Sequence, residues 1–299
     1  MSVRASVVRS LSALLAGVRR PRLPLPPHGA SSAGGGTKEA PAVLDAYVRT
    51  APSPQTAVDI FAGEWASRLP PPLDSVNAGI APLYDDGRLL WGLQVLGGVA
   101  GQSVLELGPL EAGHTYMLDR AGAASILAVE ASTRAFLKCL ITKELVGLPS
   151  ARFLCGDFVA FLDQQAETFD LCVASGVLYH MTDPAGLLER ISRVAPRVYL
   201  WTHYYDADAF RDSVRTAHRV VEPESRDLSG FGYRVYRHEY GRALDSAGFC
   251  GGSAAHAYWM ERDGILGALR HVGYSRIETA WEQRDHANGP AISIVATRA

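Results

Sequence analysis

The stretch Ser103-Val-Leu-Glu-Leu-Gly-Pro-Leu-Glu-Ala-Gly-His114 constrains this chain more than any other. A short apolar run ends in an acidic dipeptide position, Glu106-Leu107, and passes into a turn carrying Gly108 and Gly113. A segment of helical composition follows. A second apolar run, Ile126-Leu-Ala-Val-Glu130, then ends in another acid. Strand, glycine turn, helix, strand and acid in that order suit an open α/β sheet that binds an adenosine-type cofactor at the carboxyl ends of its strands. The glycines fall as E-x-G-x-x-x-x-G and not G-x-G-x-x-G, which points away from a nicotinamide dinucleotide.

The same rhythm continues downstream. Candidate strands are Ser103–Leu107, Ser125–Val129, Ala151–Cys155, Phe169–Ala174 and Arg197–Trp201, and segments such as Ser132–Leu145 and Pro184–Val194 between them have helical composition. Strands alternating with helices imply a parallel sheet covered on both faces. The last two runs, Arg276–Gln283 and Ala291–Thr297, are joined by Asp285-His-Ala-Asn-Gly-Pro290. So short a link demands an antiparallel hairpin, because a parallel pair needs a long crossover.

Ahead of the sheet, residues Pro41 to about Pro72 read as a helical preface. Ser53-Pro54 opens a helix, Val58, Phe61 and Trp65 recur at helical spacing, and Leu69-Pro-Pro-Pro72 stops it. A second helix starts at Asp85-Asp86, presents Leu89, Leu90, Leu93 and Leu96, and ends at Gly97-Gly98. About sixty residues, His203 to roughly Arg262, separate the fifth strand from the last helix, Asp263–Val272. An insertion at the strand carboxyl ends is where a substrate cap sits. The expected architecture is a Rossmann-like doubly wound α/β sheet, mostly parallel, with a C-terminal antiparallel hairpin. It divides into a leader (1–40), the preface (41–100) and a cofactor-binding domain (101–299) with the cap at 203–262.

Composition narrows the function classes. The formal net charge is −2 and the pI about 6.5, so no global basic excess argues for nucleic acid. The cysteines, Cys139, Cys155, Cys172 and Cys250, form no C-x-x-C pair, which suits a reducing compartment without structural zinc. Arg4, Arg9, Arg19, Arg20 and Arg22 precede any acid, and prolines and a Ser/Gly run follow. This start reads as a disordered leader on a cytoplasmic protein or as an organelle transit peptide. Its apolar run, Val7 to Val18, is too short to span a bilayer.

Several residues carry chemistry. Gly108 and Gly113 let the backbone approach a ligand where a Cβ would clash. Glu130 can accept from vicinal ribose hydroxyls. In Cys155-Gly-Asp157-Phe158, Asp157 reads either as an acceptor for an exocyclic adenine amine, with Phe158 beside the ring, or as a helix N-cap. His180 and His203 lie on neighbouring loops after strands four and five, where an imidazole can serve as base or simply shape a loop. His180, Asp183, His203 and Asp206 match no compact metal-ligand spacing. Tyr199, Trp201, Tyr204 and Tyr205 read as the wall of an acceptor pocket or as sheet core, the core reading fitting Tyr199 and Trp201 better. Arg234, Arg237 and His238 form a basic cluster suited to an anionic acceptor or to a solvated face.

The combination V-L-E-L-G, A-V-E, G-D-F and F-D-L-C-V-A-S-G-V-L-Y-H-M-T-D-P resembles class I S-adenosylmethionine (SAM)-dependent methyltransferases, from roughly Asp85 to the C-terminus. The S-G-V-L-Y-H-x-x-D-P segment is similar to the branch holding tRNA wobble-uridine methyl/carboxymethyltransferases and many small-molecule methyltransferases. A parallel sheet finished by an antiparallel hairpin is the plan that this resemblance implies. It implies SAM as cofactor, with Glu106, Gly108 and Gly113 around the methionyl part, Glu130 at the ribose, and Asp157 and Phe158 at the adenine. Ser175 and Gly176 would line the pocket near the sulfonium, with Tyr179, His180 and His203 facing the acceptor. The chain departs from the family pattern at Pro109-Leu-Glu-Ala112, where a second glycine is usual. The expected activity is methyl transfer to a small-molecule or glycan- or lipid-linked acceptor. A tRNA wobble-base modifier and a non-catalytic SAM-binding subunit are the alternatives.

Overall fold

The computed structural model describes residues 47–212, 221–245 and 249–298. The Arg-rich leader lies outside them. All elements below belong to one compact unit that begins at Thr50.

A seven-stranded sheet organises that unit. Its strands are β1 (Ser103–Leu107), β2 (Ser125–Glu130), β3 (Ala151–Cys155), β4 (Leu171–Ser175), β5 (Arg197–His203), β9 (Arg276–Gln283) and β10 (Ala291–Thr297), with β6 (Glu224–Leu228), β7 (Phe231–Glu239) and β8 (His256–Met260) in a separate sheet. The spatial order is β3-β2-β1-β4-β5-β10-β9. β1 to β5 pair in parallel, and β10 runs antiparallel between β5 and β9. The order reverses between β1 and β4. Crossovers leave in opposite directions there, which opens a crevice at the strand carboxyl ends. β5 runs two residues past its expected end because Ala291 and Ile292 of β10 pair with His203 and Thr202.

Period-two alternation distributes β1 between two cores. Leu105 and Leu107 join a cluster with Leu187, Leu188, Ile191 and Ile265 on one face, whereas Val104 packs with Leu89, Leu93, Leu118 and Cys139 on the other. Glu106 shares the second face. The covering helices are α2 (Gly87–Val95), α3 (Gly113–Arg120), α4 (Thr133–Val146), α5 (Phe158–Gln164), α6 (Pro184–Val194) and α8 (Arg262–His271). Local chemistry sets their starts. Asp183 accepts from Gly186 N at 3.1 Å with Pro184 at the first helical position, and Ser132 accepts from Ala135 N at 3.3 Å.

The preface is less helical than the spacing suggests. α1 covers only Pro54–Val58, a 3-10 turn takes Asp59–Phe61, and the chain then reverses through Gly63 at φ +78°. Trp65 folds back so that its Nε1–H donates to Val58 O at 2.9 Å. Val58, Phe61, Trp65 and Leu69 are nonetheless buried together with Tyr84. Burial of the apolar set, not the helical period, is what the sequence specified there. In α2, Leu89 and Leu93 are buried while Leu90 faces solvent.

The insertion forms α7 (Ala207–Asp212) and a separate antiparallel sheet, β6 (Glu224–Leu228), β7 (Phe231–Glu239) and β8 (His256–Met260). Tyr258 N donates to Met181 O at 2.8 Å, which ties this cap to the loop after β4. No described helix is long and apolar enough to cross a membrane.

Candidate active site

A cavity of about 360 Å³ opens at the carboxyl ends of the parallel strands, at the order reversal. β1 brings Glu106 and the loop from Gly108, β2 brings Glu130, β4 brings Ser175 and Gly176, and β5 brings Trp201. Phe158, Tyr179 and His180 complete the walls, and Phe249, Cys250, Gly252 and Ser253 of the cap roof it.

Glu106 is buried with one side-chain partner, Thr115 Oγ1, which donates at 2.5 Å. Burial pushes its carboxyl up to about 7. Glu130 is 7% exposed and takes a backbone N–H on each oxygen, from Ser132 at 2.9 Å and Leu110 at 3.1 Å. Burial raises its pKa despite those donors. Each oxygen keeps further acceptor capacity, as a carboxylate with about four acceptor sites allows, and Glu130 lines the cavity.

The first loop reaches this geometry through strain. Gly108 has φ +65°, which suits glycine, but Leu110 and Ala112 also take positive φ, 56° and 64°. Each costs on the order of 1–2 kcal/mol in a residue with a Cβ. Leu110 is held by its bond to Glu130, and Ala112 is fully buried. Glu111 between them accepts from Ala66 N, Ser67 N and Lys138 Nζ at 2.9, 2.8 and 2.7 Å. The missing second glycine is thus replaced by a loop pinned from both sides. Gly113 serves a second purpose beside the expected one. A Cβ there would come within 2.7 Å of Leu83 O, so its bare backbone makes room for the preface, although it also lines the cavity.

Two expected site residues stand outside the cavity lining. Asp157 caps α5, its Oδ1 accepting from Val159 N at 2.7 Å, so the N-cap alternative describes its contact. His203 is 4% exposed and its Nδ1 donates to Gly289 O at 2.8 Å. Its ring stacks on Trp259 at 5.2 Å and 6° between planes. Backbone carbonyls and an indole hold it as part of the aromatic core. The Arg234 and Arg237 charges are matched by Glu261 and Glu239 at 2.8 and 2.5 Å, so the basic cluster is internally paired. Among the described residues, no group of three His, Cys, Asp or Glu side chains is placed to hold a metal ion.

The cavity residues Arg88 and His114 went unread in the sequence. Arg88 sits 4.3 Å over the ring of Trp201, which leaves the sheet core to line the cavity. Asp86, 6% exposed, accepts from Arg88 Nη2 at 2.6 Å and pairs with His114 Nε2 at 2.9 Å. Burial alone would raise the Asp86 carboxyl; the bonds from His114 and Arg88 outweigh it and hold it well below the usual range. A sequence signal existed in Asp85-Asp86 at the helix start, two residues before Arg88, but nothing in it pairs that helix with His114.

The order reversal, the glycine turn and the two strand-end acids converge on one crevice, and residues 105–197 match the family model described as a methyltransferase domain. Over this stretch the chain is similar to a methyltransferase domain, and its sheet has the Rossmann-like methyltransferase fold that suits SAM as cofactor. The fold is shared with the N-terminal domain of EvdMO1. The structure of that domain solved in the presence of SAH (S-adenosylhomocysteine) and D-fucose is 21% identical over 82% of this chain and 95% of that one, with TM-score 0.61. A second structure of it, with SAH bound, is 22% identical over the same shares, again with TM-score 0.61. Against full EvdMO1 the identity is 20%, the TM-score 0.54, and this chain spans 46% of that chain. No curated protein matches the sequence. The methyltransferase domain fits SAM on its own geometry: a nearly buried acid at Glu130 and Cβ-free backbone at Gly108 and Gly176 face one cavity.

Proposed function

We propose that this methyltransferase transfers a methyl group to an oxygen of a small-molecule or glycan-linked acceptor held under the cap. The observation that carries this reading is the roofed cavity, with acids at its β1 and β2 end and an aromatic wall of Tyr179, Trp201 and Phe249 at the other. Bound SAM would supply a sulfonium-borne methyl electrophile, so the chain's task is alignment and exclusion of water.

Each wall has an assigned partner. Glu130 takes the ribose hydroxyls and Phe158 flanks the adenine. Glu106 attracts the methionyl ammonium, and Arg88 with His114 takes the methionyl carboxylate. The backbone of Gly108 and Gly176 allows close approach. The acceptor lies against Tyr179, His180 and Trp201, and flat aromatic faces suit the C–H face of a sugar ring. The D-fucose present with the EvdMO1 domain supports a sugar acceptor.

Calorimetry with SAH and with 5′-methylthioadenosine, which lacks the amino-acid tail, tests the assignment. Glu130→Ala should abolish binding of both. Arg88→Ala should weaken SAH by about 10- to 100-fold, the worth of a charged hydrogen bond, and leave methylthioadenosine unchanged. Wild-type protein that binds neither would overturn the cofactor reading. Methyl transfer from radiolabelled SAM to tRNA but to no sugar or glycoside would overturn the acceptor reading.

A further inference from the structure

The cap meets the loop after β4 through a half-buried side-chain hydrogen bond. The hydroxyl of Tyr240, which follows β7 directly, lies 2.7 Å from Nδ1 of cavity-lining His180. Neighbouring bonds hold the same two segments: Tyr258 N donates to Met181 O at 2.8 Å, and Arg226 Nη1 donates to Thr182 O at 2.7 Å. The strap at 249–253 then folds over the phenol. Phe249 meets Tyr240 edge-on at 4.9 Å, and a Cβ on Gly251 would come within 2.9 Å of Tyr240 Cζ.

One proton is shared across this contact, and its place can be assigned. His180 Nδ1 is the only hydrogen-bond partner of the Tyr240 hydroxyl among the described residues. Were Nδ1 to carry the proton, the phenol O–H would be left with no acceptor among the described residues. Donation from the phenol satisfies both groups. The imidazole is neutral at physiological pH, since burial lowers its pKa to about 4, with His203 of β5 and His238 of β7 adding to the fall. Tyr179, whose ring lies 4.1 Å away, and Tyr240 are both kept as phenols by burial. A neutral imidazole that accepts at Nδ1 carries its hydrogen on Nε2.

We infer that Tyr240 is a positioning residue that fixes His180 in the Nε2–H tautomer, so that His180 offers the acceptor molecule a hydrogen-bond donor and not a base. The atom such a donor recognises is an oxygen with a free lone pair: a hydroxyl, an ether or a carbonyl. This role in recognition rests on the methyl-transfer reading; the tautomer itself does not. Of the two roles the sequence leaves open for His180, base or loop-shaping ring, the first loses its nitrogen here, because a cap tyrosine has already used the one that would accept a proton.

The test is a long-range ¹⁵N–¹H correlation spectrum of the full chain labelled with ¹⁵N-histidine, with His180 assigned by the resonances lost in His180→Gln. Wild-type protein should show an unprotonated Nδ1 and a protonated Nε2 for this ring, unchanged across neutral pH. In Tyr240→Phe that pattern should shift to Nδ1–H or to averaged tautomers, while SAH binding is retained and certifies the fold. A protonated Nδ1 in the wild type, or an unaltered pattern in Tyr240→Phe, overturns the inference. If Tyr240→Phe does not fold, the wild-type spectrum decides by itself. Wild-type protein that fails to bind SAH would sink the methyltransferase reading and leave the tautomer result standing.

Discussion

The ammonium of Lys138 on α4 lies 2.7 Å from Oε1 of Glu111 in the loop after β1, and both side chains are buried. Glu111 also accepts the N–H groups of Ala66 and Ser67, while its neighbour Leu110 donates to Glu130. One strained loop therefore fastens the preface on one side and orients the candidate ribose acid on the other.

Removing that carboxylate leaves two backbone donors without partners and a buried ammonium without its counter-ion, held only by Glu64 O at 2.9 Å. Glu111→Ala is expected to cost about 3–5 kcal/mol, the range for breaking a buried ion pair from one side. Urea unfolding measures it. The double variant Glu111→Gln with Lys138→Met should lose less than the two single changes added together. A Glu111→Ala loss below about 1 kcal/mol would show that the pair does not hold the loop.

Glu106 gives the fold a pH dependence of definite sign. Its carboxyl titrates at about 7 in the folded chain against a reference of 4.5, because burial disfavours the charge. Between those values the folded state keeps a proton that the unfolded chain has released. Its contribution is complete below the unfolded pKa and is lost as pH rises through the folded one. The full effect is on the order of 3 kcal/mol. Stability of wild type minus that of Glu106→Gln should fall by this order between about pH 4 and pH 8. Parallel curves for the two proteins would show that the Glu106 carboxyl titrates alike in the folded and unfolded chain.

How much of this was legible depends on where the information resides. The apolar runs of β1, β3, β9 and β10 announced their own ends, because turn residues and charges bound them in the sequence. The acids at Glu106 and Glu130 were readable from their place at strand ends. The cap sheet was not. β6 reads Glu-Ser-Arg-Asp-Leu, with no apolar alternation, and exists as a strand because β7 pairs with it. Arg88 meets Asp86 locally, but His114 sits far along the chain, and only the docking of the preface brings it to the same carboxylate. His203 misled for the opposite reason. A histidine at a strand end resembles a catalytic residue in sequence, and its burial against Trp259 is a tertiary fact.

Asp157 separates a structural from a ligand-binding carboxylate. It caps α5 and does not line the cavity, whereas Phe158 does. Asp157→Ala should cost about 1 kcal/mol of stability, the usual loss of an N-cap, with little change in SAH affinity. Phe158→Ala should show the reverse balance. Calorimetry in which Asp157→Ala abolishes SAH binding without loss of stability would return it to the adenine.

The two glycines of the first loop should respond differently to alanine. At Gly108 the added Cβ would sit 3.0 Å from Val177 Cγ2, a side-chain atom that can give, and the residual cost is that of a positive φ, about 1 kcal/mol. At Gly113 it would meet backbone, Leu83 O at 2.7 Å and Leu83 C at 2.9 Å, which cannot move without the preface. Overpacking of this kind costs about 1–3 kcal/mol. The displaced preface carries Asp86 and Arg88, so Gly113→Ala should weaken SAH more than 5′-methylthioadenosine, even though residue 113 need not touch either. Thermal unfolding and calorimetry on both variants check the order. A Gly108→Ala protein less stable than Gly113→Ala would mean that the preface can yield where Val177 cannot.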